Sequence, residues 1–193
     1  MAVPMEQVNA DSPPLSEALA RYARSGLADA GQDQSIALFE SFLAMQADAF
    51  ERSCLPGHFT GSAWVVSADG MNVLLTHHRK LGLWLQPGGH ADGDTDLQRV
   101  ALREAEEETG LHGLRIEPGI FDIDRHRIPA RPNEPEHWHY DVRYVVRAGE
   151  DERFTVSEES HALAWRPVMG VATDAHADAS VRRMAAKWLA RTS

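Results

Sequence analysis

The spacing of hydrophobic and polar positions changes several times along this chain, and each change marks an element. Ser12-Pro13-Pro14 reads as a helix start, since Ser12 can cap and proline is tolerated in the first turn. The helix is predicted to reach about Arg24 and stop near Gly26. A second helix is predicted from about Gln34 to Glu51. Ile36, Phe39, Leu43 and Phe50 form one stripe on it and Leu38, Phe42 and Met45 another, so burial on two sides is expected. Pro56-Gly57 breaks the pattern. Trp64-Val65-Val66 and Val73-Leu74-Leu75 then flank Asp69-Gly70, a hairpin signal. Leu83 to Gly89 reads as a short strand running into a loop. A helix follows from Thr95 to Thr109, stopped by Gly110. Strands are predicted at Arg115–Ile116, Phe121–His126, His137–Val146 and Ala162–Arg166. A last helix spans about Ala179 to Ala190, with Val181, Met184 and Trp188 on one side.

Strands and helices mix without strict alternation, which predicts an α/β (α+β) fold with a mixed β-sheet sandwiched between helices. Residues 1–55 read as an N-terminal helical extension and 56–193 as the main domain. The helical pair could pack on that domain or form a homodimer contact.

Composition narrows the classes. The chain has 193 residues, of which 43% are hydrophobic, enough to bury a sizeable core and to exclude a mostly disordered chain. Its single cysteine, Cys54, permits no intramolecular disulfide. No run approaches the roughly 20 apolar residues that span a bilayer. The first residues resemble no signal peptide, so a cytoplasmic location away from membranes is expected. The formal charge of -10 repels phosphate backbones, so extended nucleic acid is not an expected partner. If a small substrate is also anionic, a bridging cation would resolve the conflict.

The helix at Thr95 to Leu111 carries the candidate chemistry. Thr95 to Gln98 fits a capping box. At about 100° per residue, Glu104, Glu107 and Glu108 share one edge. That edge continues the stripe of Leu97, Val100 and Leu111, while Glu106 lies opposite. A solvated acidic face should lie opposite the apolar stripe; these three carboxylates are expected to face the protein. Like charges at this spacing repel, and Arg103, which could reach Glu107, supplies one guanidinium against three carboxylates. A hard divalent cation satisfies such a set.

The run from Gly89 through position 95 to Arg103-Glu104-Ala105-Glu106-Glu107-Glu108-Thr109-Gly110-Leu111 resembles the Nudix box, G-x5-E-x7-R-E-U-x-E-E-x-G-U, with U aliphatic. Trp84-Leu85-Gln86-Pro87-Gly88-Gly89 resembles the family's approach to the box. Thr95 departs from the usual glutamate, which puts that residue's bracing role onto Asp94 or Asp96, or leaves it unfilled. The resemblance covers about Phe59 to Arg166. It implies a Nudix fold and hydrolysis of a diphosphate link in a small nucleotide-like substrate with Mg²⁺ or Mn²⁺. Carried over by position, Glu104, Glu107 and Glu108 would ligate metal or activate water, the Gly89 carbonyl would reach the metal, and Arg103 would hold a carboxylate. Glu158 or Glu159 would stand where such enzymes often place an additional base. An ADP-ribose or nucleotide-sugar type substrate is the leading expectation. Nucleoside triphosphates, or a catalytically silent nucleotide sensor, are the alternatives.

Two further patches are candidate substrate contacts. Asp122-x-Asp124-x-His126 and His137-x-His139-x-Asp141 each put polar residues on one face of a strand. As an antiparallel hairpin they would pair Asp122 with Asp141, Asp124 with His139 and His126 with His137. We read Asp124, His126, His137 and His139 as a substrate wall or a partly solvated sheet face, in preference to a second metal site. Arg79, in the basic run His77-His78-Arg79-Lys80, and His90 beside Gly89 are the remaining candidates. Trp84, Trp138 and Tyr140 could stack on a base, although core packing is the commoner fate of such residues.

Overall fold

A computed structural model describes residues 12–28, 32–79, 82–132, 134–157 and 160–192. Two helices come first, α1 (Leu15–Arg24) and α2 (Gln32–Met45). The strands β1 (Gly57–Val66), β2 (Asn72–His78), β3 (Trp84–Leu85) and β4 (Gly88–His90) precede helix α3 (Leu97–Thr109). After it come β5 (Arg115–Ile116), β6 (Asp122–Ile128), β7 (His137–Arg147) and β8 (Ser160–Pro167), then α4 (Val168–Thr173) and α5 (Ala179–Thr192). Together they form one mixed eight-stranded sheet between helices, ordered β3-β2-β1-β7-β5, with β4 on β1, β6 on β7 and β8 on β2.

β1 organises this sheet. It runs parallel to β7 along its whole length, from Gly57 opposite Trp138 to Val66 opposite Arg147. Its other edge is shared: Thr60, Gly61 and Ser62 pair with β4, and Val65 and Val66 pair with β2. The β1–β2 hairpin turns at Asp69-Gly70 as its sequence requires. Asp69 Oδ1 accepts from the Ser67 hydroxyl at 2.6 Å and from the Met71 amide at 2.9 Å, which closes the turn.

Alternation along β1 divides its residues between two cores. Phe59, Ala63 and Val65 face α1, α2 and α3, while Trp64 and Val66 face α4 and α5. On the first side, Leu19, Tyr22, Ile36, Phe39 and Phe42 share a core with Phe59 and Tyr140. Phe42 stacks on Tyr140, with ring centroids 4.1 Å apart, so Tyr140 is core and not a platform for a base. The helical pair therefore packs on the sheet. On the second side, Val181, Met184 and Trp188 are buried as their spacing requires.

Several local expectations are corrected. α1 starts at Leu15 after Pro14, with no side-chain cap from Ser12. α2 ends at Met45, because the residues after it turn back and the Ala49 carbonyl accepts the Phe59 amide of β1 at 2.8 Å. Its second stripe is covered only at Phe42, which is buried, while Leu38 is 44% and Met45 69% exposed. α3 is capped by Asp96, whose carboxylate accepts from the Gln98 and Arg99 amides, and Thr95 stands outside the helix. The segment at Gly88, expected as loop, pairs as a strand because β1 offers it an edge.

The β6–β7 register differs from the expected one by two residues. Asp124 lies opposite Asp141, His126 opposite His139, and Asp122 opposite Arg143. A two-residue slip keeps every side chain on its face. It also brings the Arg143 guanidinium to Asp141 at 2.7 Å, Asp122 at 3.3 Å and Asp124 at 3.5 Å, so one cation serves three carboxylates.

Candidate active site

The site is built where α3 crosses β4. Gly110, at φ 66°, ends the helix in the left-handed region that glycine adopts at low cost, and the Gly110 amide donates to the Glu106 carbonyl. Gly61 and Gly89 are paired across β1 and β4, and both present bare backbone to α3. A Cβ on Gly61 would lie 2.9 Å from the Leu97 carbonyl oxygen. One on Gly89 would lie 2.3 Å from a Glu104 carboxylate oxygen. The Glu104 carboxylate thus rests directly against the Gly89 main chain, in space that any larger residue would fill.

Arg103 holds this arrangement. It donates to Glu104 at 2.9 Å and to the His90 carbonyl at 3.1 Å. Glu108, 8% exposed, accepts from the Gly88 amide at 2.8 Å. Two glutamates and the arginine are therefore tied to consecutive residues of β4. Glu107 differs from its expected position, because its side chain is exposed on the outer part of the same edge. Arg103 reaches Glu104 and not Glu107. The bracing once expected of Asp94 or Asp96 is absent too, since Asp94 grips Arg99 and Asp96 caps the helix. Glu158 and Glu159 lie outside the described residues.

On the opposite face of β4, four of the candidate substrate residues meet. His90, His126, His137 and His139 gather with His58, which the sequence reading missed. The ring centroids lie 5.0 Å apart for His58–His90, 4.9 Å for His58–His137 and 4.8 Å for His58–His139. His90–His139 follows at 5.2 Å, His126–His139 at 5.3 Å and His137–His139 at 5.1 Å. A signal for His58 existed: His58, Thr60 and Ser62 alternate with Phe59, Gly61 and Ala63. It becomes legible once β1 is known to begin at Gly57. Burial, reinforced by the neighbouring imidazoles, pushes His58 down to about 4 and His139 down to about 2. His90 is lowered as well, chiefly by burial.

Asp124 stands at the border of that cluster. Burial opposes its ionisation. The hydrogen bond to His126 and the charges of Arg143 and Arg183 outweigh burial and hold it below the usual carboxylate range. Arg79 is exposed and lies 3.5 Å from the Ser160 carbonyl. Trp138 carries the Arg125 guanidinium 3.6 Å from its ring centroid, and Trp84 stacks on His77. Cys54 is buried, and burial pushes its thiol up to about 11, the behaviour of a packing residue. A recess lined by Leu15, Tyr22, Leu97, Ile120 and Tyr144 opens between α1 and α3, and none of Glu104, Glu107 and Glu108 lines it.

The fold agrees with comparison against known proteins. A family model for the NUDIX domain matches residues 58–188, and the chain belongs to that family. A curated relative from Mycobacterium tuberculosis (strain CDC 1551 / Oshkosh), described as putative 8-oxo-dGTP diphosphatase 3, is 31% identical over 102 residues. That match covers 50% of this chain and 45% of the relative, so the chain spans about half the length of the curated relatives it matches. A NUDIX-family hydrolase of Clostridium perfringens superposes with TM-score 0.55 at 23% identity, covering 70% of this chain and 98% of that one. An Ap4A hydrolase of C. elegans gives TM-score 0.55 at 17% identity, covering 69% and 96%. The MutT protein of Methanosarcina mazei Go1 gives 0.53 at 19%, covering 72% and 96%. At these identities the structures establish the fold alone. No helix among the described residues is long and apolar enough to cross a membrane.

Proposed function

We propose that this chain is a metal-dependent pyrophosphohydrolase that cuts the diphosphate linkage of a small nucleotide-like substrate. The observation that carries the reading is the seating of Glu104 and Glu108 against the Gly88–Gly89 backbone, with Arg103 clamping Glu104 to the same strand. Carboxylate oxygens with a glycine carbonyl make a donor set suited to Mg²⁺ or Mn²⁺, and Glu104, Glu107, Glu108 and Gly89 would hold the ion. When bound, the ion neutralises substrate charge, polarises the phosphoryl group and lowers the pKa of water.

The chain's own residues do the positioning. Arg103 is a positioning residue that fixes the Glu104 carboxylate through one hydrogen bond and the strand through another. Glu108 holds the Gly88 amide and so sets where the Gly89 carbonyl points. Glu107, exposed on the same edge, is the carboxylate freest to meet the substrate side or to take a proton from water. His90, His126, His139 and Arg79 are the candidate contacts to the rest of the substrate, whereas His137 is buried with both ring nitrogens engaged by Pro135 and His139. Asp124 already spends both oxygens on Arg183, Arg143 and His126.

For the substrate we infer a nucleoside diphosphate joined to a second group, of the ADP-ribose or nucleotide-sugar type. A nucleoside triphosphate is the second reading, favoured by the description of the mycobacterial relative. A panel of nucleotide sugars, ADP-ribose and nucleoside triphosphates, assayed for phosphate-containing products with Mg²⁺ or Mn²⁺ and again with EDTA, tests both. Turnover on one class that EDTA abolishes is expected. Turnover that survives the chelator, or none on any member, would overturn the reading.

A further inference from the structure

The histidine cluster has a chemistry of its own. We propose that His58, His90 and His139 form a binding site for a transition-metal ion of the Zn²⁺ class, distinct from the box carboxylates, with a fourth position open to water or a substrate oxygen. One ring nitrogen from each of the three lies within 4.8 Å of the other two. Zn–N bonds of about 2.1 Å in a tetrahedral site bring ligand nitrogens to roughly 3.4 Å, so ring rotations on the order of an ångström complete the site.

His58 supplies the decisive observation. It is 1% exposed, and neither ring nitrogen meets a partner in hydrogen-bonding geometry, although the Cys54 carbonyl is near enough to favour its protonated form slightly. Buried polar atoms in a folded protein are nearly always satisfied, and an exception calls for a ligand, an ion or a water.

Three separate strands deliver the ligands: β1 brings His58, β4 brings His90 and β7 brings His139. An outer partner is in place for the His139 ring, and the main chain at His90 is held. Arg103 grips the His90 carbonyl at 3.1 Å. His137 Nε2 lies 3.3 Å from His139 Nε2, and its Nδ1 lies 2.9 Å from the Pro135 carbonyl. A carbonyl can only accept, so His137 carries its hydrogen on Nδ1. Its neutral form then accepts from His139, which keeps a lone pair of its own. Outer partners of this kind orient metal-binding imidazoles. His90 and His139 are only half-buried, so the cluster is not closed off from solvent on their side.

The two sites would sort ions by hardness. Imidazoles suit Zn²⁺, Co²⁺ or Ni²⁺, and the box carboxylates suit Mg²⁺ or Mn²⁺. They share one strand: Gly89 faces Glu104, and the adjacent His90 turns to the opposite side. The proposal does not depend on the hydrolase reading, and the two can fail separately.

The test uses the metal-free full chain with Co²⁺ alone, followed by visible absorption, and then Zn²⁺ alone. One equivalent of Co²⁺ is expected to give the intense bands of a tetrahedral nitrogen site. Zn²⁺ should displace it, and excess Mg²⁺ should not. Glu104→Gln, within the box, should leave the spectrum intact, whereas His139→Ala should weaken Co²⁺ affinity at least about 100-fold. Because histidine variants can lose the fold, wild-type chain with isotope-labelled histidine provides a second measurement. Zn²⁺ should shift the ring nitrogen resonances of three histidines. Ring resonances unmoved by Zn²⁺, or a Co²⁺ spectrum lost in Glu104→Gln and kept in His139→Ala, would overturn the proposal.

Discussion

Strands β6 and β7 carry two polar regions on one face of the sheet, and the two are finished to different degrees. At one end, Asp122, Asp124 and Asp141 meet Arg143, Arg183 and Lys187, three negative charges against three positive. Asp122 is fully buried and accepts from Lys187 at 2.7 Å and Arg183 at 2.7 Å. Lys187 also donates to Tyr22 and Gln32, so this network ties α1, α2 and α5 to the sheet. At the other end, five histidines crowd together, and His58 has neither nitrogen satisfied. Both regions look alike in sequence, as polar residues at alternate strand positions. The difference teaches that burial of polar groups is not by itself a functional signal. What separates a staple from a site is whether the partners are already supplied by the protein.

The comparison can be broken first at Asp122. Asp122→Ala leaves buried cations without their carboxylate and should cost about 3–5 kcal/mol, read from denaturant unfolding. A loss under about 1 kcal/mol would show that the network is not a staple. The bond-breaking step should belong to the box and not to either end. Glu107→Gln, at an exposed position, is expected to lower turnover at least about 100-fold while leaving the denaturation midpoint in place. Wild-type-like rates would remove Glu107 from the mechanism.

Acid provides a gentler probe of the network. Burial alone would raise the Asp122 pKa, but Arg183, Arg143 and Lys187 hold it below the ordinary value. Its contribution to stability is therefore present above about pH 4, where the unfolded carboxylate ionises, and is lost as pH falls through the folded value. Urea midpoints should drop below about pH 4, and Asp122→Asn should flatten that limb; parallel limbs in both proteins would contradict the assignment. The smallest effect is expected at the open end. In metal-free protein, His58→Leu removes an unsatisfied polar ring and should change stability by less than about 1 kcal/mol, or raise it. A loss of several kcal/mol would mean that His58 already has a structural partner.

Much of the fold was legible because its signals are local. Asp69-Gly70 closes a turn with its own side chain. The stripe of Leu97, Val100 and Leu111 makes α3 whatever surrounds it. The spacing from Gly89 to Leu111 places glutamates on one edge by helical period alone. The errors fell where neighbours outweigh local preference. Asp96 displaced Thr95 as the cap, α2 ended early because β1 claimed the Ala49 carbonyl, and Glu107 turned outward where the stripe extrapolated inward.

The sequence by itself determined helices α1, α2, α3 and α5, the hairpin and the acidic edge of the box, because those follow from residues a few positions apart. Only the tertiary structure decided that β1 lies parallel to β7, that one arginine serves three aspartates, and that His58 joins His90 and His139. Those outcomes depend on strands far apart in the chain meeting in one register, and a register is chosen by the packing and charge of both partners together.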